Sequence, residues 1–198
     1  MKTFQKFLAI STVSALSLAG AGVASAATAP TKASSAHAHA VAKAKVHKVA
    51  FKGSYHGTIK LLWSSSTATG TIASGKGTGT LLGASSMTGT GTGADTAYSD
   101  PFSGTGYLKS AKGTLKLNVI KTKSSANAPD GTQSGPQSPP ATITVLGVAQ
   151  AVAGTGVYKG VSGTLKFSGS FSVSNSTAGT SESDSFTASL TGTLSIKK

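Results

Sequence analysis

Apolar and polar residues alternate along much of the chain from Phe51 onward. The first clear case has Ile59, Leu61 and Trp63 on one side of the pattern and Lys60 on the other. A period of two is that of a β-strand, whose successive side chains point to opposite faces. We therefore predict a strand with its apolar face against a core and its lysine in solvent.

The same alternation returns at residues 115–119 around Lys116 and at residues 165–167 around Lys166. Further short runs bring the total to roughly eight to eleven strands spaced about ten residues apart, which is typical of a barrel or sandwich. No window has a helical period. We predict an all-β fold, namely a small antiparallel β-barrel of about eight or more strands. A two-layer sandwich is the alternative.

Residues 104–117 and 154–167 align without a gap and form an internal repeat. Each copy predicts a turn, a short strand, a tight turn containing lysine and a second strand. The last strand, ending at Ile196, is expected to pair with the first, because closing the sheet removes its exposed edges. Between the copies, residues 124–141 hold four of the six prolines and predict an exposed loop.

The first 26 residues have the pattern of a secretory signal peptide. Lys2 and Lys6 precede an uncharged run, residues 7–23, and the small residues 24–26 suit cleavage after Ala26. An uncleaved membrane anchor is the alternative, which the glycines and hydroxyl side chains of the run disfavour. We expect a secreted or envelope-associated protein that is a monomer or weak oligomer, with no transmembrane segment in the mature chain.

Residues 27–51 alternate small with basic residues and predict a disordered, solvated arm, since no apolar stripe could dock it as a helix. The β-barrel domain is predicted to follow at residues 52–198. His37, His39 and His47 of the arm could attract a metal ion, but no carboxylate lies near them in the sequence, so we expect no metal site. No other pattern indicates a cofactor.

The net charge and the absence of arginine and cysteine exclude several classes of function. The formal net charge is +13, falling to +11 without Lys2 and Lys6, and there is no arginine. The chain therefore lacks the bidentate donor that recognises phosphates and guanine edges, and specific nucleic-acid binding is not expected. The absence of cysteine excludes disulfides, zinc–thiolate sites and thiol catalysis. Lysines alone suit loose attraction to anionic polymers.

No set of residues has the pattern of a catalytic site. No Gly-x-Ser-x-Gly elbow occurs between a predicted strand and a helix. The five acids are assigned to loops, including Glu182 and Asp184 in a polar turn over residues 175–185. The residues therefore favour a protein that is not an enzyme, and we assign no catalytic residue.

Alternating glycine and threonine at residues 69–71, 78–80 and 88–92 place threonines on one face of each strand. Threonine is a good exposed strand residue, and glycine eases close contact in barrel walls. Flat threonine ladders on β-solenoids bind ice, which gives an alternative function. The repeat period is not kept beyond Gly93, however.

Residues 151–163 read Ala-Val-Ala-Gly-Thr-Gly-Val-Tyr-Lys-Gly-Val-Ser-Gly, and a diverged copy begins at Gly104. This run resembles a turn-and-strand signature of allene oxide cyclase-like and dirigent-like β-barrels, which small exported bacterial proteins also carry. The resemblance implies an antiparallel barrel. The catalytic groups do not carry over, because dirigent pockets use arginine and aspartate and cyclase pockets use a buried carboxylate. Here the only glutamate falls in the predicted turn.

Two functions follow from these patterns. The favoured one is a non-enzymatic exported barrel that is held near anionic cell-envelope polymers by lysines. Lys60, Lys116 and Lys166 are the candidate contacts, because they occupy matching positions opposite the predicted core.

The alternative function follows from the family resemblance, since some relatives bind or cyclise hydrophobic small molecules inside the barrel. It implies binding of a small hydrophobic ligand or isomerase-type chemistry on such a molecule. Trp63, Tyr107 and Tyr158 are then the candidate residues for the mouth of the ligand site.

Overall fold

The computed structural model describes residues 45–97, 99–128 and 141–197, which are mostly β-strand. The predicted signal peptide, the first part of the predicted arm and residues 129–140 of the proline-rich loop lie outside the described residues. In chain order the elements are β1 (Val46–Trp63), β2 (Thr67–Gly79), β3 (Gly83–Ala94), β4 (Ser99–Ser110), β5 (Gly113–Val119), a short 3₁₀ helix (Lys121–Lys123), β6 (Ser125–Asn127), β7 (Ala141–Gly154), a second 3₁₀ helix (Gly156–Tyr158), β8 (Ser162–Val173) and β9 (Ser181–Lys197). In this described part, neither helix is long enough to cross a membrane.

Eight of the strands close into an antiparallel barrel. Its order is β1, β2, β3, β4, β5, β7, β8 and β9, with β9 paired back to β1. The closing pair runs from Val46 opposite Lys197 to Leu62 opposite Ser181. The short β6 bridges β4 and β7. The predicted fold class is confirmed as a barrel rather than a sandwich, and the predicted pairing of the last strand with the first is also confirmed.

Inward side chains alternate with exposed ones, as the hydrophobic pattern predicts. In β1, Tyr55, Leu61 and Trp63 are 1 %, 2 % and 5 % exposed. Leu115 and Leu165, at the matching positions of β5 and β8, are 1 % and 0 % exposed. Each buried side chain of this size stabilises the fold by about 1.5–3 kcal/mol relative to leaving it in water. The predicted core face of these strands is confirmed.

Tyrosines fill one end of the barrel, which we call the closed end. Tyr55 and Tyr158 are almost fully buried there. Tyr55 Oη lies 3.0 Å from Ser85 Oγ, and Tyr158 Oη donates to the carbonyl oxygen of Leu81 at 3.1 Å. Because each hydroxyl has a partner, the rings fill the interior without leaving a buried polar group unsatisfied.

The internal repeat of the sequence is only partly a structural repeat. In both copies a glycine of positive φ, Gly113 at 138° and Gly163 at 140°, lies at the start of a strand. The first halves differ, because residues 104–110 continue β4 whereas residues 156–158 form a 3₁₀ helix. Gly156 has a φ of 59°, a left-handed conformation that takes the chain out of the strand at this point.

Two segments predicted as arm or loop contribute strands. β1 begins at Val46, inside the predicted arm over residues 27–51, because β9 supplies backbone partners that no apolar pattern marks. β6 lies inside the predicted proline-rich loop, and Ser124 Oγ just before it accepts a hydrogen bond from the Val148 N–H at 3.2 Å. Pairing with a distant strand determines where β1 begins and where β6 lies, and the local sequence does not encode that pairing.

Candidate functional site

The end of the barrel opposite the buried tyrosines holds a cavity of about 230 Å³, and we call it the cavity end. All eight barrel strands contribute to its mostly apolar lining, including Ile59, Leu61 and Trp63 of β1. Protein interiors are close-packed, and voids much larger than a water molecule are few. A cavity of this size therefore needs a structural cause.

Glycines form one side of the cavity. Gly70 of β2, Gly91 of β3 and Gly104 of β4 are register partners in one row, and Gly89 and Gly106 pair in the next row. We call these five residues the glycine wall. Because glycine has no side chain to fill the interior, the wall leaves open the space that forms the cavity.

The threonines that alternate with these glycines point away from the interior. Thr71, Thr90 and Thr105 are register partners across β2, β3 and β4, and Thr69 Oγ1 lies 3.0 Å from Thr92 Oγ1. The Gly–Thr runs thus form the wall of a closed barrel, not of a solenoid.

Glycines at the closed end leave no such space, because aromatic rings cover them. A methyl group on Gly77 would lie 2.6 Å from Tyr55 Cδ1. A methyl group on Gly106 would meet no atom nearer than the carbonyl oxygen of Thr88, at 3.7 Å. Gly106 therefore borders open space, whereas Gly77 does not.

Phenylalanines of β8 and β9 line the cavity on the side opposite the glycine wall. They are Phe167, Phe171 and Phe186. Phe167 also packs against Phe102 of β4, with ring centroids 5.8 Å apart and ring planes at 68°. This edge-to-face arrangement is a favourable one for aromatic pairs. Aromatic rings opposite a wall without side chains suit a small apolar ligand.

Trp63, the single tryptophan of the chain, also lines the cavity. Its side chain is 5 % exposed, and its Nε1–H has no hydrogen-bond acceptor among the described residues. Buried tryptophan N–H groups usually find a partner, and an unpaired one costs about 1–3 kcal/mol. Of the residues that line the cavity, Trp63 therefore offers one free donor.

Glu182 and Asp184 lie in β9, so their assignment to a loop was wrong. They are register partners of Leu61 and Ile59, which face the interior at the cavity end. Glu182 Oε2 accepts the backbone N–H of Ser174 at 2.9 Å. Glu182 Oε1 and Asp184 Oδ2 are buried without a hydrogen-bond partner in the described part of the chain. The strand was missed because both of its faces are polar here, so no hydrophobic alternation marks it.

Burial raises the pKa of the Asp184 carboxyl above its usual value, and the charge of Glu182 raises it further. The folded protein therefore keeps the Asp184 proton to a higher pH than the unfolded chain does. Between the unfolded pKa of 3.8 and the higher folded pKa, stability must increase as the pH falls. At neutral pH the ionised carboxylate lowers stability.

We therefore expect Asp184→Asn to stabilise the protein slightly at about pH 7, by less than about 1 kcal/mol because nearby solvent screens the charge. Urea unfolding at several pH values measures this. The gain should disappear at about pH 3, where Asp184 is protonated in both states. A gain of the same size at both pH values would contradict the assignment of the effect to this charge.

The structure does not bring the three aromatic residues predicted for the ligand mouth together. Trp63 lines the cavity, whereas Tyr158 is buried at the closed end. Tyr107 is 39 % exposed on the outer face of β4, where Lys116 Nζ lies 5.8 Å from the centre of its ring. The glycine wall and the three phenylalanines opposite it were not among the residues predicted to line a ligand site.

The three lysines predicted to contact anionic polymers do not form one patch. Lys60 of β1 lies opposite Ser183 of β9, and Lys166 of β8 lies opposite Thr191 of β9. These two positions are separated by roughly 27 Å along the strand. Lys116 is on β5, on another part of the wall. Within the described ranges, no group of three His, Asp or Glu side chains could hold a metal ion.

Comparison of the chain with models of protein families, with curated proteins and with solved structures finds no match. The resemblance to allene oxide cyclase-like barrels stays a prediction.

Proposed function

We propose that this chain is an exported, non-enzymatic β-barrel that binds a small apolar molecule between the glycine wall and the phenylalanines of β8 and β9. The observation that carries the proposal is the cavity, about 230 Å³ of mostly apolar space in a barrel whose other end is filled. Export is supported by the signal-like pattern of the first 26 residues.

The size of the cavity restricts the ligand. Apolar cavities of about 150 Å³ bind benzene, and pockets for drug-sized molecules begin at about 300 Å³. The cavity of about 230 Å³ lies between these sizes. We expect a single substituted ring or a short branched hydrocarbon. The unpaired Nε1–H of Trp63 favours a ligand with one acceptor, such as a carbonyl or ether oxygen.

Attachment to anionic cell-envelope polymers through Lys60, Lys116 and Lys166 makes a different prediction. Attraction between exposed charges fades beyond about 10 Å at 0.1 M salt, so binding of that kind weakens steeply as salt is added. Burial of an apolar ligand does not weaken in this way. The salt dependence of binding therefore separates the two functions.

Bromobenzene is a suitable probe of the cavity, because its heavy atom quenches tryptophan fluorescence at contact. The chain from Ala27 onward contains every described strand and the only tryptophan, Trp63. We expect bromobenzene to quench Trp63 with a saturable dependence on concentration. The midpoint should be unchanged between about 0.05 M and about 0.5 M NaCl.

The control is N-acetyltryptophanamide, which bromobenzene can quench only by collision and therefore linearly. A linear response of the protein, parallel to that of the control, would show that the cavity does not bind the probe. A midpoint that rises steeply with salt would also contradict the proposal.

A further inference from the structure

Charged residues are distributed unevenly between the two ends of the barrel. All four acids of the described residues lie at the cavity end. Asp95 and Asp100 lie at or beside the β3–β4 connection, and Glu182 and Asp184 lie near the start of β9. Lys112, Lys159 and Lys197 are exposed at the opposite, closed end.

The lysines of the closed end belong to one continuous surface. Lys112 is in the β4–β5 turn, and its carbonyl oxygen accepts the N–H of Val157 at 3.1 Å. Lys159 follows two positions after Val157 in the connection between β7 and β8. A methyl group on the next residue, Gly160, would lie 3.3 Å from Lys197 Cδ, so Lys197 packs beside this connection.

Exposed valines lie among these lysines. Val157, in the β7–β8 connection beside Lys112 and Lys159, is 57 % exposed. Val46 is 54 % exposed and is the direct register partner of Lys197 across β1 and β9. We call Lys112, Val157, Lys159, Lys197 and Val46 the closed-end surface.

The mixture of lysines and exposed valines distinguishes between two kinds of anionic partner. A soluble polyanion interacts with the lysines alone and gains nothing from an exposed valine. An anionic lipid surface attracts lysines electrostatically and also accepts apolar side chains at its interface. The closed-end surface matches the second partner.

We infer that the closed-end surface docks the barrel onto an anionic lipid bilayer. Docked in this way, the barrel holds the cavity end, where all four acids of the described residues lie, away from the bilayer. The inference is independent of the proposed ligand site, since it uses none of the residues that line the cavity.

Two triple variants with the same change in charge test the inference. K112Q/K159Q/K197Q removes the three lysines of the closed-end surface, and K60Q/K116Q/K166Q removes three lysines elsewhere on the barrel. Each is made in the chain from Ala27 and checked for folding by thermal melting. Sedimentation measures partitioning to phosphatidylcholine vesicles with and without phosphatidylglycerol.

We expect the wild-type chain to partition to vesicles only when phosphatidylglycerol is present. Each lysine near an anionic surface contributes about fivefold to partitioning, so the closed-end triple variant should lose roughly a hundredfold. The control triple variant should lose less than about fivefold in total. Equal losses in the two variants would overturn the inference, because they would show that net charge alone governs binding.

Val157→Ser separates a lipid surface from a soluble polyanion. The variant should partition several-fold less to phosphatidylglycerol vesicles, while its elution from a polyphosphate column should be unchanged. If Val157→Ser leaves vesicle partitioning unchanged, the valine takes no part and the partner is a soluble polyanion, which contradicts docking on lipid.

Discussion

Replacing Gly106 with leucine is expected to abolish saturable quenching of Trp63 by bromobenzene while the barrel stays folded. A β-carbon at Gly106 would meet no atom closer than 3.7 Å, and Gly106 lines the cavity, so we expect the new side chain to enter the cavity without moving the backbone. A leucine there would occupy the space that the glycine wall leaves open. Because its apolar atoms become buried, the free energy of unfolding should stay the same or rise.

Ser103→Leu is the matched control for Gly106→Leu. Ser103 lies on the same strand, β4, but is exposed on its outer face. The same leucine placed there should leave both the quenching midpoint and the cavity unchanged. If Gly106→Leu kept saturable quenching with a normal melting temperature, the probe would bind outside the cavity and the proposed function would be wrong.

The sequence was sufficient to predict the strands in which apolar residues alternate with lysine. Leu115 and Leu165 are buried, and Lys166, which follows Leu165 directly, is exposed. This is the alternation that a period of two predicts. The start of β9 could not be predicted in the same way. Glu182 and Asp184 face inward among serines that face outward, so hydropathy does not distinguish its two faces.

The candidate site was less predictable than the fold, for a related reason. Alternating glycine and threonine over residues 88–92 predicts a strand, but neither face is apolar, so the pattern does not say which one is inside. Whether an inward glycine leaves a cavity also depends on its neighbours in the sheet. Tyr55 covers Gly77 because β1 and β2 pair in one particular register, and no local pattern contains that register.

Gly77→Ala is expected to destabilise the protein by about 3 kcal/mol, at the upper end of the range for overpacked cores. A β-carbon on Gly77 would lie in contact with the carbonyl oxygen of Ser54 and 2.6 Å from Tyr55 Cδ1. The first of these is a backbone atom of the adjacent β1, which cannot move without disturbing the pairing of the two strands. For a chain of this length the melting temperature should fall by roughly 6–12 °C.

Gly106→Ala is the same chemical change at an uncovered glycine, and we expect the opposite sign. Alanine restricts the unfolded chain more than glycine does, which stabilises the folded state by about 0.4–1 kcal/mol where the native site has room. The open space around Gly106 provides that room. Thermal melting of the two variants side by side measures the difference between a covered and an uncovered glycine. Equal decreases in melting temperature would mean that the space beside Gly106 is closed in solution, and the cavity would then no longer be available to a ligand.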